Sequence, residues 1–172
     1  MRKELFQPTA EGEARLLLLI NAFTTPKNSL EGRTKLAKLD FLLRYPSFLQ
    51  RALSIHAPRV IPPQSSEVDE TIETRMLRYR YGPWDPAYFA ILGSLIGRGL
   101  VVPVPTATGI GYRTTPSGQG LASRIASTEP WQDAARSVKL LKTHFDKSGS
   151  WLKDFIYQHF PEVVYSSWGQ TL

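Results

Sequence analysis

The chain has 172 residues, a length that suits one domain or a small domain with an extension, and its hydrophobic share of 42% is enough for a buried core. It has no cysteine, which excludes disulfides and thiolate metal sites and makes a reducing cytoplasm the expected setting. The formal net charge is +6 and the pI is about 9.7, so contact with nucleic acid has to be weighed against charge that serves solubility alone.

Three helices are predicted in the first third of the chain, because leucine and other apolar residues recur there at three- and four-residue spacing. Thr9 is the expected N-cap of the first helix, whose apolar residues occupy so many faces that burial on several sides is expected. Ser29 is the expected cap of the second helix, on which Arg33, Lys35 and Lys38 should lie mostly away from the core face. The predicted helices are residues 10–23, residues 30–44 and a short helix that follows Pro46 and ends near His56.

The middle of the chain changes from a loop to a strand pattern. Residues 57–69 are rich in proline and serine and predict a surface loop. Residues 76–81 then alternate, with leucine and tyrosine on one face and Arg78 and Arg80 on the other, which predicts a β-strand. The Gly82-Pro83 pair should end that strand.

A helix and a hairpin are predicted next. Asp85 can cap a helix and Pro86 suits its first position, whereas Gly97 and Gly99 fall where that helix must stop. The expected core stripe of this helix is Phe89, Leu92, Leu95 and Ile96, and its expected outward residues are Tyr88, Ser94 and Arg98. Residues 100–104 and 110–114 predict two strands that form a hairpin.

The order of strand, helix and hairpin is that of the second half of a winged helix. The sequence therefore predicts a mainly α fold with a small β-hairpin: a winged helix-turn-helix domain over residues 10–118 and a C-terminal helical extension with an apolar tail over residues 119–172. Helices in the extension are expected from Pro116 to about Ile125, over residues 131–145 and over residues 148–160. A winged helix binds nucleic acid or a protein partner, so a binding protein is expected.

The sequence offers no catalytic motif. His56, His144 and His159 fall on predicted helix ends, and none has a carboxylate or a second histidine at metal-ligand spacing. A nucleophile elbow, a phosphate loop and a dinucleotide fingerprint are all missing from the sequence. We therefore expect a protein that is not an enzyme and that needs no cofactor and no metal. The longest apolar run, residues 16–20, is also too short to cross a bilayer, and no membrane partner is expected.

Basic residues on the predicted strand, helix and wing are candidates for nucleic-acid binding. Guanidinium groups match the geometry of phosphates, and arginines on a wing commonly contact the DNA backbone or minor groove. The predicted recognition helix is poor in the arginine, asparagine and glutamine residues that read bases, so backbone contact without tight sequence specificity is expected. The alternative is that these residues form solvated faces. The candidates are Arg78, Arg80, Arg98, Arg113 and Lys35.

Bulky apolar residues near the C-terminus are candidates for a protein interface, because aromatic residues are enriched at such surfaces. The alternative is that the tail folds back over the core of its own chain. The candidates are Trp151, Phe155, Val163, Tyr165 and Trp168.

Three stretches carry a family resemblance: residues 32–46 (GRTKLAKLDFLLRYP), residues 78–85 (RYRYGPWD) and residues 111–118 (GYRTTPSG). They resemble the winged-helix middle component of bacterial ABC-three-component systems, a group that includes Lamassu-type anti-phage defence. The resemblance implies an accessory subunit that links an SMC-like ABC ATPase, which senses foreign DNA, to an effector that is often a nuclease. It implies no catalytic residue here, since the chemistry of that family lies in the other subunits. The alternative is a stand-alone winged-helix transcriptional regulator or an antitoxin.

Overall fold

The computed structural model describes residues 7–61, 77–79 and 82–164, and in them the chain is mainly helical with a small three-stranded antiparallel sheet. The helices are α1 (Ala10–Phe23), α2 (Arg33–Arg44), α3 (Pro46–His56), α4 (Tyr88–Gly97), α5 (Pro116–Ser127), α6 (Gln132–His144), α7 (Gly149–His159) and α8 (Pro161–Val164). The strands are β1 (Leu30–Glu31), β2 (Leu77–Tyr79), β3 (Gly82–Trp84), β4 (Val101–Thr106) and β5 (Gly109–Thr114). The predicted mainly α class is thus confirmed.

The first helix lies at the centre of the fold, as its sequence predicts. It begins at Ala10, and the hydroxyl of Thr9 accepts a hydrogen bond of 2.9 Å from the amide of Gly12, which satisfies a donor that the first turn leaves free. All five residues from Leu16 to Ile20 are buried, because α1 packs against α4, α5, α6 and β5 on different sides. This explains why its apolar residues show no single stripe.

The start of the second helix differs from the prediction. Leu30 and Glu31 form the short strand β1, which pairs with β5 so that Leu30 lies opposite Tyr112. Gly32 then adopts a φ of +86°, a conformation that favours glycine, and α2 begins one residue later at Arg33. The predicted helix start near Leu30 with Ser29 as its cap is therefore wrong. A two-residue strand has no periodicity of its own, so only its pairing with β5 reveals it.

The hairpin predicted as a wing is confirmed as a hairpin. Strands β4 and β5 are antiparallel, with Val101 opposite Thr114 at one end and Thr106 opposite Gly109 at the other. In the sheet, β5 lies between β1 and β4. Thr106 and Gly109 flank a two-residue turn and form a hydrogen-bonded pair. By alternation, Pro103 and Pro105 occupy positions whose nitrogen faces away from β5. The outward edge of β4 therefore lacks two amide donors.

The segment before α4 is a hairpin and not a single strand. Tyr79 pairs with Gly82 and Leu77 pairs with Trp84, so the Gly82-Pro83 pair belongs to the second strand, β3, where the sequence predicted an end. The carboxylate of Asp85 accepts a hydrogen bond of 2.8 Å from the amide of Ala87 and so stabilises the turn that precedes α4. The helix itself starts at Tyr88, later than predicted.

The face of α4 that enters the core also differs from the prediction. Tyr88, expected to point outward, is fully buried, and Phe89, expected in the core, is 60% exposed. The buried side consists of Tyr88, Ile91, Leu92 and Leu95. The hydroxyl of Tyr88 donates a hydrogen bond of 2.7 Å to Asp40, and this satisfied polar group allows the tyrosine to replace phenylalanine inside.

The C-terminal helices share the core of the N-terminal ones. Helices α5 and α6 pack on α1, and α7 packs on α2. Thr115 caps α5 through a hydrogen bond of 3.1 Å from Gly118, and Ser148 caps α7 through one of 3.1 Å from Trp151. One continuous buried cluster runs from α1 to Val163. The division of the chain at residue 118 into a domain and an extension stays a prediction. Within the part of the chain that the structure describes, no helix has the length and apolar character needed to cross a membrane.

Candidate binding surfaces

A buried polar network lies beneath α4. Asp40, which is fully buried on α2, accepts a hydrogen bond of 2.6 Å from Arg15 of α1 and one of 2.7 Å from the hydroxyl of Tyr88. Arg44 lies 3.6 Å from the same carboxylate and 2.5 Å from that of Asp85. Two guanidinium groups and two carboxylates therefore meet in the interior, and their formal charges cancel.

The surroundings raise the pKa values of two members of this network, Tyr88 and Arg44, so both groups keep their protons. Burial, followed by the charge of Asp40, raises the pKa of the Tyr88 hydroxyl well above its usual value, so the hydroxyl keeps its proton. Burial, the largest influence, would lower the pKa of Arg44, but interactions with Asp40, Tyr88 and Asp85 together outweigh it, and the pKa is raised. These directional contacts hold α4 in a fixed position on α1 and α2, which also fixes the position of its outer face.

The outer face of α4 is nearly free of polar side chains. Phe89, Gly93 and Gly97 are exposed along one line at four-residue spacing, and a methyl group added at either glycine would meet nothing within 4 Å. The guanidinium of Arg33 lies 4.8 Å from the centre of the Phe89 ring. This face is a flat, apolar surface with one protruding aromatic ring.

The β4–β5 hairpin beside α4, the predicted wing, is apolar as well. Val102 is 40% exposed and Ile110 is 57% exposed, and Pro103 and Pro105 are also exposed on β4. Arg113, the arginine of this hairpin, is half-buried near the base and donates a hydrogen bond of 3.2 Å to the backbone carbonyl of Asn28. The hairpin therefore presents aliphatic side chains where a DNA-binding wing would present cations.

The residues predicted to bind nucleic acid have different surroundings. Arg98 is exposed at the end of α4, 3.7 Å from Glu13, while Arg113 lies at the base of the wing. Arg78 lies in β2, and Arg80 falls outside the described residues. Lys35 is buried, with its ammonium 2.6 Å from Asp146, and Lys38 is also buried. The expectation that both lysines lie away from the core is therefore wrong, because α7 covers the second helix.

The predicted interface residues lie mostly inside the chain. Phe155 and Val163 are 7% and 2% exposed, and both belong to the core cluster. Trp151 is half-buried and stacks on Phe155 at 5.1 Å between ring centres. Up to Val163 the chain thus folds back on its own core, which is the alternative considered for the tail. Tyr165 and Trp168 lie outside the described residues.

Helix α8 is held in place by Arg51 of α3. The Arg51 guanidinium pairs with the carboxylate of Glu162, donates a hydrogen bond of 2.5 Å to the carbonyl of His159 and lies 4.6 Å from the centre of the Phe160 ring. The hydrogen bond from Arg51 lowers the pKa of Glu162 below its usual value. These contacts tie the end of the described chain to its N-terminal half.

A cationic cleft of about 680 Å³ is the surface that the sequence did not reveal. It is lined by the start of α2, the turn between α6 and α7, and Thr108 at the wing tip. Lys35 and Lys142 both place their ammonium groups 2.6 Å from the carboxylate of Asp146. Burial acts to raise the pKa of Asp146, but the hydrogen bonds from the two lysines outweigh it, and its pKa is lowered.

Comparisons with known proteins identify no relative: no family model matches the chain, and no curated protein and no solved structure is significantly similar to it. Among the residues that the structure describes, no group of three or more histidine, aspartate or glutamate side chains is placed to hold a metal ion.

Proposed function

We propose that this chain is a winged-helix subunit that joins other proteins in a complex and has no catalytic role of its own. The order α1, β1, α2, α4, β4, β5 and the sheet order β1–β5–β4 support a winged helix. Helix α3 and the β2–β3 hairpin are then an insertion between α2 and the recognition helix α4.

The outer face of α4 is the observation that carries a protein-binding role. A recognition helix that reads the major groove needs arginine, asparagine or glutamine directed at base edges. Here that face consists of Phe89, Gly93 and Gly97, with Arg98 at its end. An exposed aromatic ring on a flat apolar surface is typical of a protein-protein hot spot, and the aliphatic wing extends this surface.

The resemblance to ABC-three-component middle subunits fits this role. In such a complex the chain would link an SMC-like ABC ATPase that senses DNA to an effector such as a nuclease, as part of anti-phage defence. The composition without cysteine supports a cytoplasmic location. Contact with the DNA backbone, independent of sequence, is proposed as a secondary property of Arg98 and Arg113, joined by Arg78 and Arg80 of the neighbouring segment.

The test begins with the gene neighbourhood: where it encodes an ABC ATPase, binding between that protein and the purified chain is measured. Phe89→Ala should weaken the complex by about tenfold or more, because an aromatic anchor at the centre of an interface typically carries that much affinity. Ile61→Ala is the matched control, since Ile61 is 90% exposed and far less buried than any core residue. It should leave the affinity unchanged.

Two results would contradict the proposal. A complex that forms equally well with Phe89→Ala would remove α4 from the interface, and the absence of any complex would remove the accessory role. Nanomolar binding of the isolated chain to one DNA sequence, with a large preference over random DNA, would instead establish a transcriptional regulator.

A further inference from the structure

The cationic cleft brings together side chains that are far apart in the sequence. Its volume of about 680 Å³ falls in the range of about 300–1,000 Å³ that is usual for ligand sites. Five cations line it against two carboxylates, and the hydroxyls of serine and threonine residues complete the lining. The cations are Arg33, Lys35, Lys142, Lys147 and Lys153, and the carboxylates are Glu31 and Asp146.

The protein balances the charges of the cleft only in part, since five cations line it against two carboxylates and Lys153 lies 3.8 Å from the exposed Asp154. Lys35 and Lys142 share the single carboxylate of Asp146, and their ammonium groups lie 5.1 Å and 5.0 Å from the centre of the same Phe23 ring. Two like charges are therefore close together, and Lys35 is largely withdrawn from water. A bound anion would offset this repulsion, and it would do so more strongly than solvent because the site is partly buried.

The backbone adds donors to the same cleft. The cap residue of α2 is Gly32, which has no side chain to accept a hydrogen bond from the first amides of that helix. A methyl group at Gly149 would lie 3.2 Å from the amide nitrogen of Lys35, so the N-terminal ends of α2 and α7 meet at the cleft. The positive ends of two helix dipoles thus reinforce the field of the five cations.

We propose that this cleft binds the phosphate groups of a ligand. Phosphate groups are anionic, and their tetrahedrally arranged oxygens accept hydrogen bonds from several directions, which fits ammonium, guanidinium, hydroxyl and amide donors that surround one cavity. The phosphodiester backbone of nucleic acid and a free polyphosphate share this chemistry. The proposal rests on the cleft alone and does not depend on the docking role of α4.

The test uses inorganic tripolyphosphate in calorimetry and a labelled DNA duplex of about 20 base pairs in fluorescence anisotropy across a salt series. The cleft variant is Lys147→Ala with Lys153→Ala. Arg33 is left intact, because it also contacts Phe89. The control variant, Arg124→Ala with Lys139→Ala, removes the same two charges from exposed positions on α5 and α6 outside the cleft.

We expect the cleft variant to lose about tenfold or more in affinity for the phosphate probe that binds, and the control to lose much less. In the DNA arm the salt slope should fall by about two for the cleft variant. Binding of tripolyphosphate alone would identify a free phosphate ligand, and binding of DNA alone would identify the nucleic-acid backbone; each supports the proposal. Failure of both probes to bind, or equal losses in the two variants, would overturn it.

Discussion

The outer face of α4 and the cleft beside α2 are close in the fold but opposite in chemistry. The first exposes Phe89 next to Gly93 and Gly97, and the second collects five cations and the carboxylates of Glu31 and Asp146. A chain with a net charge of +6 invites the view that α4, the predicted recognition helix, is the basic surface. The comparison shows that net charge does not locate a binding surface: the cations gather in the cleft, Arg33 borders both surfaces, and the outer face of α4 is apolar.

The largest expected effect comes from the network that holds α4. Asp40→Ala should lower the free energy of unfolding by about 3–5 kcal/mol, since Arg15 and Arg44 lose a buried counter-ion and the hydroxyl of Tyr88 loses its acceptor. Urea denaturation measures this loss. Asp154→Ala, at an exposed carboxylate on α7, is the control and should change stability by less than about 0.5 kcal/mol. A similarly small loss for Asp40→Ala would mean that packing alone fixes α4.

A smaller loss of stability is expected from a substitution at Gly32, which precedes α2 and lines the cleft. Gly32→Ala should cost about 1–3 kcal/mol, because an alanine is strained at a φ of +86° even though open space surrounds this position. Gly93→Ala on α4 is the matched control: replacement of a helical glycine with equally open surroundings should be stabilising by up to about 1 kcal/mol. Thermal unfolding of the two variants should therefore shift in opposite directions, and a common direction would contradict this assignment.

Removal of one carboxylate should sharpen the difference between the two surfaces. Asp146→Asn leaves Lys35 and Lys142 without their shared partner, so tripolyphosphate should bind a few-fold more tightly to the cleft. Binding of the ATPase through Phe89 should not change. Titrating the Asp146→Asn variant with tripolyphosphate and with the ATPase tests both expectations. Weaker binding of tripolyphosphate would show that Asp146 organises the cleft more than it opposes an anion.

The smallest effect is a loss of stability in acid. Asp146 and Glu162 both have lowered pKa values in the folded chain, so their contribution is present above their usual pKa values of about 3.8 and 4.5 and is lost as the pH falls toward the folded values. Both groups are partly exposed, which limits the contribution to about 1 kcal/mol or less. Urea titrations between about pH 6 and pH 3 should show less acid sensitivity for Glu162→Gln than for the unaltered chain.

Local signals in the sequence explain which parts of the fold were predictable. Thr9 and the dense apolar pattern after it fixed the limits of α1, and the alternating residues around a glycine-containing turn predicted the wing. Strand β1 could not be predicted, since two residues carry no period. The orientation of α4 was misjudged by about one residue, because the partner that lets Tyr88 be buried lies 48 residues away on α2.

The cleft could not have been predicted for the same reason. Lys35 and Asp146 are 111 residues apart, and the sequence gives no indication that α7 packs on α2. Lysines on the second helix were therefore expected to be solvated or to meet DNA directly. Only the tertiary packing shows that Lys35 lines a cleft together with residues of α6 and α7.

The two prolines of β4 limit how any partner could bind the wing. A partner that added a strand to the free edge of the sheet would need the backbone amides of residues 103 and 105, which proline does not supply. Such β-augmentation, whether by a partner or by another copy of the chain, is thereby disfavoured. We expect a partner at this edge to present a helix or loop that packs against the side chains of the wing and α4.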